Sequence, residues 1–316
     1  MSKQKKLISL IIPIYNEADN IEWHYKEIKK FLRTSGIGAE IIYVNDGSQD
    51  NSLDIIKKIS SKNEDVRYIS FSRNFGKEAA TTAGLNTAKG EAAIMVDADG
   101  QHPIELLDKF IDKWREGYHV VVGVREINSN EGPVKKYGSR IFYKILNSFT
   151  DVNTIAGSTD FRLVDRKVLD EFNKLSERNR ITRGLIDWLG FRRTYVYFVA
   201  PKRHGGNASY SVKKLFKLAI HALVSQTTKP LQITGLLGGI VTLASAGVGF
   251  FLALETYVFG DPLNLSVTGS AILALFVSFL VGVVLICQWL LALYIESIHS
   301  EAQNRPLYVI EDQSDR

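Results

Sequence analysis

From Leu7 to Val124, apolar runs alternate with longer polar stretches. Runs rich in β-branched residues stand at 7–14 (LISLIIPI), 40–44 (EIIYV), 66–71 (VRYISF), 92–96 (AAIMV) and 119–123 (HVVVG). Segments 18–33, 52–61, 75–88 and 104–115 lie between them and carry apolar residues at helical spacing. Strands alternating with helices predict an α/β domain with a parallel, doubly wound sheet. Ligands of such sheets bind outside the carboxyl ends of the strands. The residues at those ends are Tyr15, Asn16 and Glu17, then Asp46, then Arg73, then Asp97 and Asp99.

The pattern changes after residue 230. Two long apolar runs, 231–260 and 267–296, each exceed the roughly 20 residues needed to cross a bilayer. Gly235, Gly238, Gly239, Gly247 and Gly249 are costly in a soluble helix but common in packed membrane helices. The connection DPLNLS has no basic residue, whereas Lys213, Lys214, Lys217 and Lys229 precede the first run. By the positive-inside rule, the expectation is a two-span membrane protein with the catalytic half and both termini in the cytoplasm. Within 211–225, Val212, Leu215, Phe216, Ala219 and Leu223 share one helical face and the lysines lie off it, which predicts a helix in the membrane interface. The expected organisation is therefore a catalytic domain over 1–208, an amphipathic juxtamembrane helix over 209–229, a two-helix membrane domain over 230–297 and a cytoplasmic tail over 298–316. The glycine-rich spans and the tail RPLYVIED also suggest a homo-oligomer, with tail strands adding to a neighbour's sheet edge.

The 316 residues carry a formal net charge of +5, with no Lys or Arg between Lys229 and Arg305. A single cysteine, Cys287, excludes an internal disulfide framework. The basic N-terminus followed by an apolar run is too short for a signal peptide, is interrupted by Pro13, and reads as a first strand. No nucleic-acid partner is expected.

The run AAIMVDADGQHP places Asp97 and Asp99 just past a buried strand. In an extended backbone the two carboxylates would face the same side. Like charges that close raise each other's pKa unless a cation or donor sits between them. A solvated turn is the plain alternative.

Taken together, IIPIYNEADNI, YVNDGSQDNS, FSRNFGKEAATTAGLNTAKGE, MVDADGQHP, TDFRLVDR and the spacing of Arg203 and Gly206 resemble family 2 glycosyltransferases of the polyprenyl-phosphate type. The group contains dolichyl-phosphate mannose synthases and bacterial undecaprenyl-phosphate glucosyltransferases. The resemblance implies a Rossmann-like GT-A domain that moves a hexose from a sugar nucleotide, UDP-glucose above all, onto a polyprenyl phosphate with inversion. It implies Mg²⁺ or Mn²⁺ held by Asp99 and Gln101, with Asp97 on the ribose or in the metal shell. Asp46, Pro13, Tyr15, Asn16 and Glu17 would bind the nucleoside, and Arg73 and Lys77 the nucleotide. Arg125, Arg140 and Arg203 are candidates for the acceptor phosphate, because an Arg fork grips phosphate bidentately. Asp160 would orient the nucleophile, act as base, or bond structurally to Arg162. The chain departs from the family at Asn45, Gly100, His102, Ala208 and Ser209. His24, His102, His204 and His221 lack metal-ligand spacing and receive no chemistry.

Rival readings are the same chemistry with GDP-mannose or UDP-aminoarabinose, a processive polysaccharide synthase, a nucleotide-cofactor oxidoreductase and a non-catalytic membrane scaffold. The chain has no Gln-x-x-Arg-Trp motif of the synthases and no glycine-rich turn after its first strand, and a scaffold has no need of the acidic pair.

Overall fold

In a computed structural model, the described residues are 8–126, 155, 157–178, 180–201 and 269–314, with a few isolated positions between 240 and 258. Arg140, Arg203, the interfacial segment 211–225 and nearly all of the first apolar run lie outside them.

All five predicted strands form: β1 (Ile8–Ile14), β2 (Ala39–Asn45), β3 (Val66–Phe71), β4 (Ala92–Met95) and β5 (Val120–Arg125). The helices between them are α1 (Ala18–Ser35), α2 (Ser52–Lys62), α3 (Lys77–Thr87) and α4 (Leu107–Arg115). Three further strands follow, β6 (Ser158–Asp165), β7 (Arg193–Phe198) and β8 (Ile310–Gln313), with short helices α5 (Arg166–Phe172) and α6 (Thr182–Trp188) between β6 and β7. The sheet runs β7-β5-β6-β4-β1-β2-β3-β8.

The purely parallel sheet expected from the alternation is corrected to a mixed one. β3, β2, β1 and β4 are parallel, but β6 enters antiparallel between β4 and β5. The physical reason lies in β6 itself. Phe161, Leu163 and Val164 bury as a central strand requires, while the buried Arg162 and the flanking Asp160 break the apolar run that would announce one. A second correction concerns the tail. It does form a strand, but β8 pairs antiparallel with β3 of its own sheet, so the edge it covers is not a neighbour's.

Alternate residues of the strands feed two apolar layers. On one face Ile8, Leu10, Ile12, Ile14, Ile41 and Tyr43 pack with Ile21, Ile28, Ile56 and Phe110 of α1, α2 and α4. On the other, Ile11, Ile42, Val44 and Met95 pack with Ala79, Ala80, Ala83 and Leu169 of α3 and α5. The small residues of α3 let it approach closely: a Cβ on Gly84 would press on the Val44 side chain at 3.3 Å and collide with Ile11.

The chain divides into two compact units, Met1–Ser211 with Asn304–Arg316, and Val212–Gln303. In the second, α7 (Gly269–Ala302) contains Phe279–Glu296, with mean hydropathy 2.1 and no burial within the chain. Among the described residues it is the one helix long and apolar enough to cross a membrane, by length and composition.

Candidate active site

The carboxyl ends of β1, β2, β3 and β4 open on the same edge of the sheet, as the parallel order requires. β6 runs the other way, so its beginning reaches that edge. Met95 pairs with Arg162, and continuing this antiparallel register two residues outward sets Asp97 across from Asp160. Lys77, the first residue of α3, bridges them. Its Nζ lies 2.6 Å from Asp97 Oδ1 and 3.2 Å from Asp160 Oδ2. The three side chains are surrounded by protein below and open to solvent above, with 44% of the Lys77 side chain exposed.

The charges set one another. Burial pushes the Asp160 carboxyl up, but the Lys77 and Arg183 cations outweigh it and bring it down to about 2. Asp97 is likewise lowered, Lys77 overcoming burial. Burial works against the Lys77 ammonium, and the two carboxylates more than reverse it, so its pKa lies above the ordinary lysine range. Asp97 and Asp99 thus escape the like-charge problem posed by their sequence, because a cation sits on Asp97. They also do not lie on an extended backbone. The chain turns at 98–100, with Gly100 at φ 79°, and Asp99 Oδ1 accepts the Gln101 N–H at 3.0 Å. The turn closes where the Asp97 N–H donates to His102 Nδ1 at 2.9 Å. His102 is buried and stacked on Phe161, with ring centroids 4.8 Å apart. Burial, first of its causes, lowers its pKa. This histidine carries the loop on the strand beside it, a role that spacing alone does not reveal.

The other predicted nucleotide residues gather in loops laced together by side chains. Asn16, at φ 54°, accepts the Gln49 N–H at 2.8 Å, and its own N–H donates to Ser48 Oγ at 3.0 Å. The Glu17 N–H donates to Ser52 Oγ, and Asn45 Oδ1 accepts the Ser48 N–H. Pro13 is half-buried near the end of β1 and Tyr15 is 44% exposed beyond it. Asp46, 2% exposed, accepts the backbone N–H of Phe75 at 2.7 Å and of Gly76 at 3.0 Å. Burial raises its pKa against the pull of those donors. Arg73 lies over the Phe75 ring, 4.2 Å from its centroid. Arg125 is exposed at the end of β5. Asp160 does not pair with Arg162 through its carboxylate, because that guanidinium is taken by Asp187 at 2.9 Å and Ser158 Oγ at 2.9 Å. Sequence reasoning also passed over Glu78 and Arg183. Glu78 stands beside Lys77 within FSRNFGKEAATTAGLNTAKGE, whereas Arg183 lies outside every stretch that carries the resemblance.

Among the described residues no three His, Cys, Asp or Glu side chains cluster as a metal cage. The Asp99 carboxylate and the Gln101 amide, two residues apart on a turn, nonetheless fit the oxygen-only donor set of a hard cation that takes its remaining ligands from water and phosphates.

The parallel strands β3-β2-β1-β4 with the antiparallel β6 beside them, and the acidic cluster at that edge, have the mixed α/β sheet of the nucleotide-sugar transferase (GT-A) fold. Residues 9–172 match the family described as Glycosyl transferase family 2, and the chain belongs to that family. A bactoprenol glucosyl transferase of Shigella phage SfV is 35% identical over 309 residues, covering 98% of this chain and 99% of that protein. An uncharacterized glycosyltransferase of Synechocystis sp. is 37% identical over 96% of this chain and 95% of its own. Among solved structures, mannosyl-3-phosphoglycerate synthase from Rubrobacter xylanophilus superposes with a TM-score of 0.53 over 72% of this chain and 75% of that one, at 17% identity.

Proposed function

We propose that this glycosyltransferase moves glucose, with inversion, from UDP-glucose to a polyprenyl phosphate. The observation that carries the reading is the near-complete, two-way coverage by relatives named bactoprenol glucosyl transferase, at 34–36% identity, for which fold likeness alone is no substitute.

The chemistry suits the cleft. A phosphate monoester, with a second pKa near 6, is largely a dianion at neutral pH, so its oxygen attacks the anomeric carbon without surrendering a proton. That C–O bond forms as the bond to the nucleoside diphosphate breaks, and the electron pair leaves on the diphosphate. Asp160, held at about 2, is a poor base. Its role is to fix Lys77, with Asp97, at the cleft floor. Asp46 and the loops around Asn16 and Arg73 shape the nucleotide side, and Arg125, with Arg140 and Arg203 from outside the described residues, takes the acceptor side. Mg²⁺ or Mn²⁺ on Asp99 and Gln101 would supply positive charge to the departing diphosphate.

Two membrane spans, with the catalytic unit and both termini cytoplasmic, belong to the same reading, on the long apolar runs and the lysines that precede them. A homo-oligomer rests on the glycine-rich spans alone, since the tail strand is used within the chain. The test is a purified, detergent-solubilised preparation given undecaprenyl phosphate and a panel of labelled sugar nucleotides. Glucosyl lipid formed from UDP-glucose, silenced by EDTA and restored by Mg²⁺ or Mn²⁺, is the expected result. Transfer from GDP-mannose alone, or none from any donor, would refute it.

A further inference from the structure

Beneath the Lys77 bridge lies a cavity of about 10 Å³, lined by Lys77, Glu78, Asp160, Arg162, Thr182 and Arg183 among others. It has room for about one water or one ligand oxygen. Two arginines border it and they differ in how they are used. Arg162 is 0% exposed and fully engaged: its guanidinium donates to Asp187, to Ser158 Oγ, to the Thr159 carbonyl at 3.0 Å and to the Arg183 carbonyl at 3.2 Å. Arg183 is half-buried in the first turn of α6, and among the described residues its guanidinium has no hydrogen bond or ion pair.

The backbone around Arg183 is held from both sides. Its carbonyl is fixed by Arg162, and the N–H of Thr182 donates to Glu78 Oε2 at 2.8 Å, which ties α6 to α3 beside Lys77. The Arg183 charge is felt at Asp160, which already has Lys77 as its partner. Two cations therefore converge on one carboxylate, and among the described residues one of them keeps its hydrogen-bonding fork unused. A partly buried cation without its own partner is costly unless an anion completes it.

We infer that Arg183 and Lys77 form an anion subsite that receives a phosphate oxygen of a substrate at the floor of the cleft, beside Asp160. The inference rests on the proposed glucosyl transfer for its substrates, and it adds a phosphate-binding residue that the sequence motifs did not indicate. The phosphate belongs either to the acceptor monoester or to the donor diphosphate. In the first case Arg183 steers the attacking oxygen, and in the second it holds the leaving group. No new bond chemistry is involved, only the placing of an anion.

Inorganic pyrophosphate and inorganic phosphate, each alone, are the probes for calorimetry on the full-length protein in detergent. They need neither sugar nor lipid, so the subsite is tested even if the wild type transfers no glucose. Arg183→Gln is expected to weaken the binding of at least one probe about tenfold, with Arg183→Lys intermediate because it keeps the charge and loses the fork. In turnover assays, a raised KM for a short-chain prenyl phosphate alone assigns the subsite to the acceptor, and a raised KM for UDP-glucose alone assigns it to the donor. If Arg183→Gln melts early, Arg183→Met repeats the test. Failure of both probes to bind the wild type, or equal binding by the wild type and the folded variant, would overturn the inference.

Discussion

Asp46 accepts the backbone N–H of Gly76 at 3.0 Å, and Gly76 immediately precedes the helix that begins with Lys77. A carboxylate at the end of β2 thus sets the starting point of the lysine that joins Asp97 to Asp160. Asp46→Ala leaves the N–H groups of Phe75 and Gly76 without their acceptor in a buried place, and should cost about 2–3 kcal/mol of stability. Activity should fall further than the melting temperature alone explains, because Lys77 loses its footing. Chemical denaturation and turnover measured side by side check this. Unchanged stability with lost UDP-glucose binding would instead make Asp46 a pure nucleotide ligand.

Gly47 makes the same loop contact possible from the other side. It sits at φ 64°, and a Cβ there would lie 2.6 Å from the backbone nitrogen of Asn74 and run into Arg73. Backbone cannot yield as a side-chain tip does. Gly47→Ala should therefore push the loop bearing Arg73 outward and raise the dissociation constant of UDP by about tenfold or more, while the distant strands stay intact. Calorimetry with UDP gives the answer.

The pH dependence should separate Asp160 from the acceptor. Its folded pKa is depressed to about 2, so the stabilisation from its pairing is complete above the ordinary carboxylate range and is lost only as pH falls toward 2. No activity limb near neutrality belongs to it. The acid limb should instead fall near pH 6, where the acceptor phosphate takes up its second proton. Asp160→Asn should lower kcat by about 100-fold through a misplaced Lys77 and leave the midpoint of that limb where it was. A limb that disappears in the variant would show Asp160 acting as a base.

His24 is buried on α1, with neither ring nitrogen partnered among the described residues. Burial, helped by the nearby His102 and opposed by Asp97, lowers its pKa to about 4. The unfolded chain takes up a proton near pH 6.5 that the folded protein refuses until about 4, so stability should decline by about 3 kcal/mol as pH falls across that window. His24→Leu should flatten that slope in melting experiments between pH 7 and 4.5, and a slope equal to the wild type's would place the proton uptake elsewhere.

Much of this was legible in the chain. The five strands β1–β5 announce themselves because each is an apolar run bounded by polar helices, and the parallel order of β1 to β4 brings the residues just past their ends to one edge of the sheet. Asp97 was readable as special, but its partner was not. The bridge from Lys77 to Asp97 and Asp160 depends on β6 running antiparallel beside β4, and β6 hides its strand character behind Asp160 and Arg162. The turn at Gly100 was equally hidden, since an Asp-x-Asp spacing reads the same on an extended or a bent backbone. Arg183 left no trace at all in sequence, because its importance comes from what Arg162 and Glu78 do to the backbone around it.

The strand β8 has a practical consequence. Tyr308 stacks on Phe71 with ring centroids 4.8 Å apart, Asp312 pairs with Lys57 at 2.6 Å and receives the Tyr68 hydroxyl, and Ser314 bonds to the Tyr68 backbone. The unit that carries the cleft is therefore discontinuous in sequence, made of Met1–Ser211 and Asn304–Arg316. A single cut cannot excise it. A fragment ending at Ser211 would present the bare edge of β3, with Phe71 uncovered, to any other chain in solution, and such edges invite pairing between molecules. β8, four residues long and bearing Glu311 and Asp312, takes over as the edge of the sheet and offers another chain only a short, charged strand to pair with.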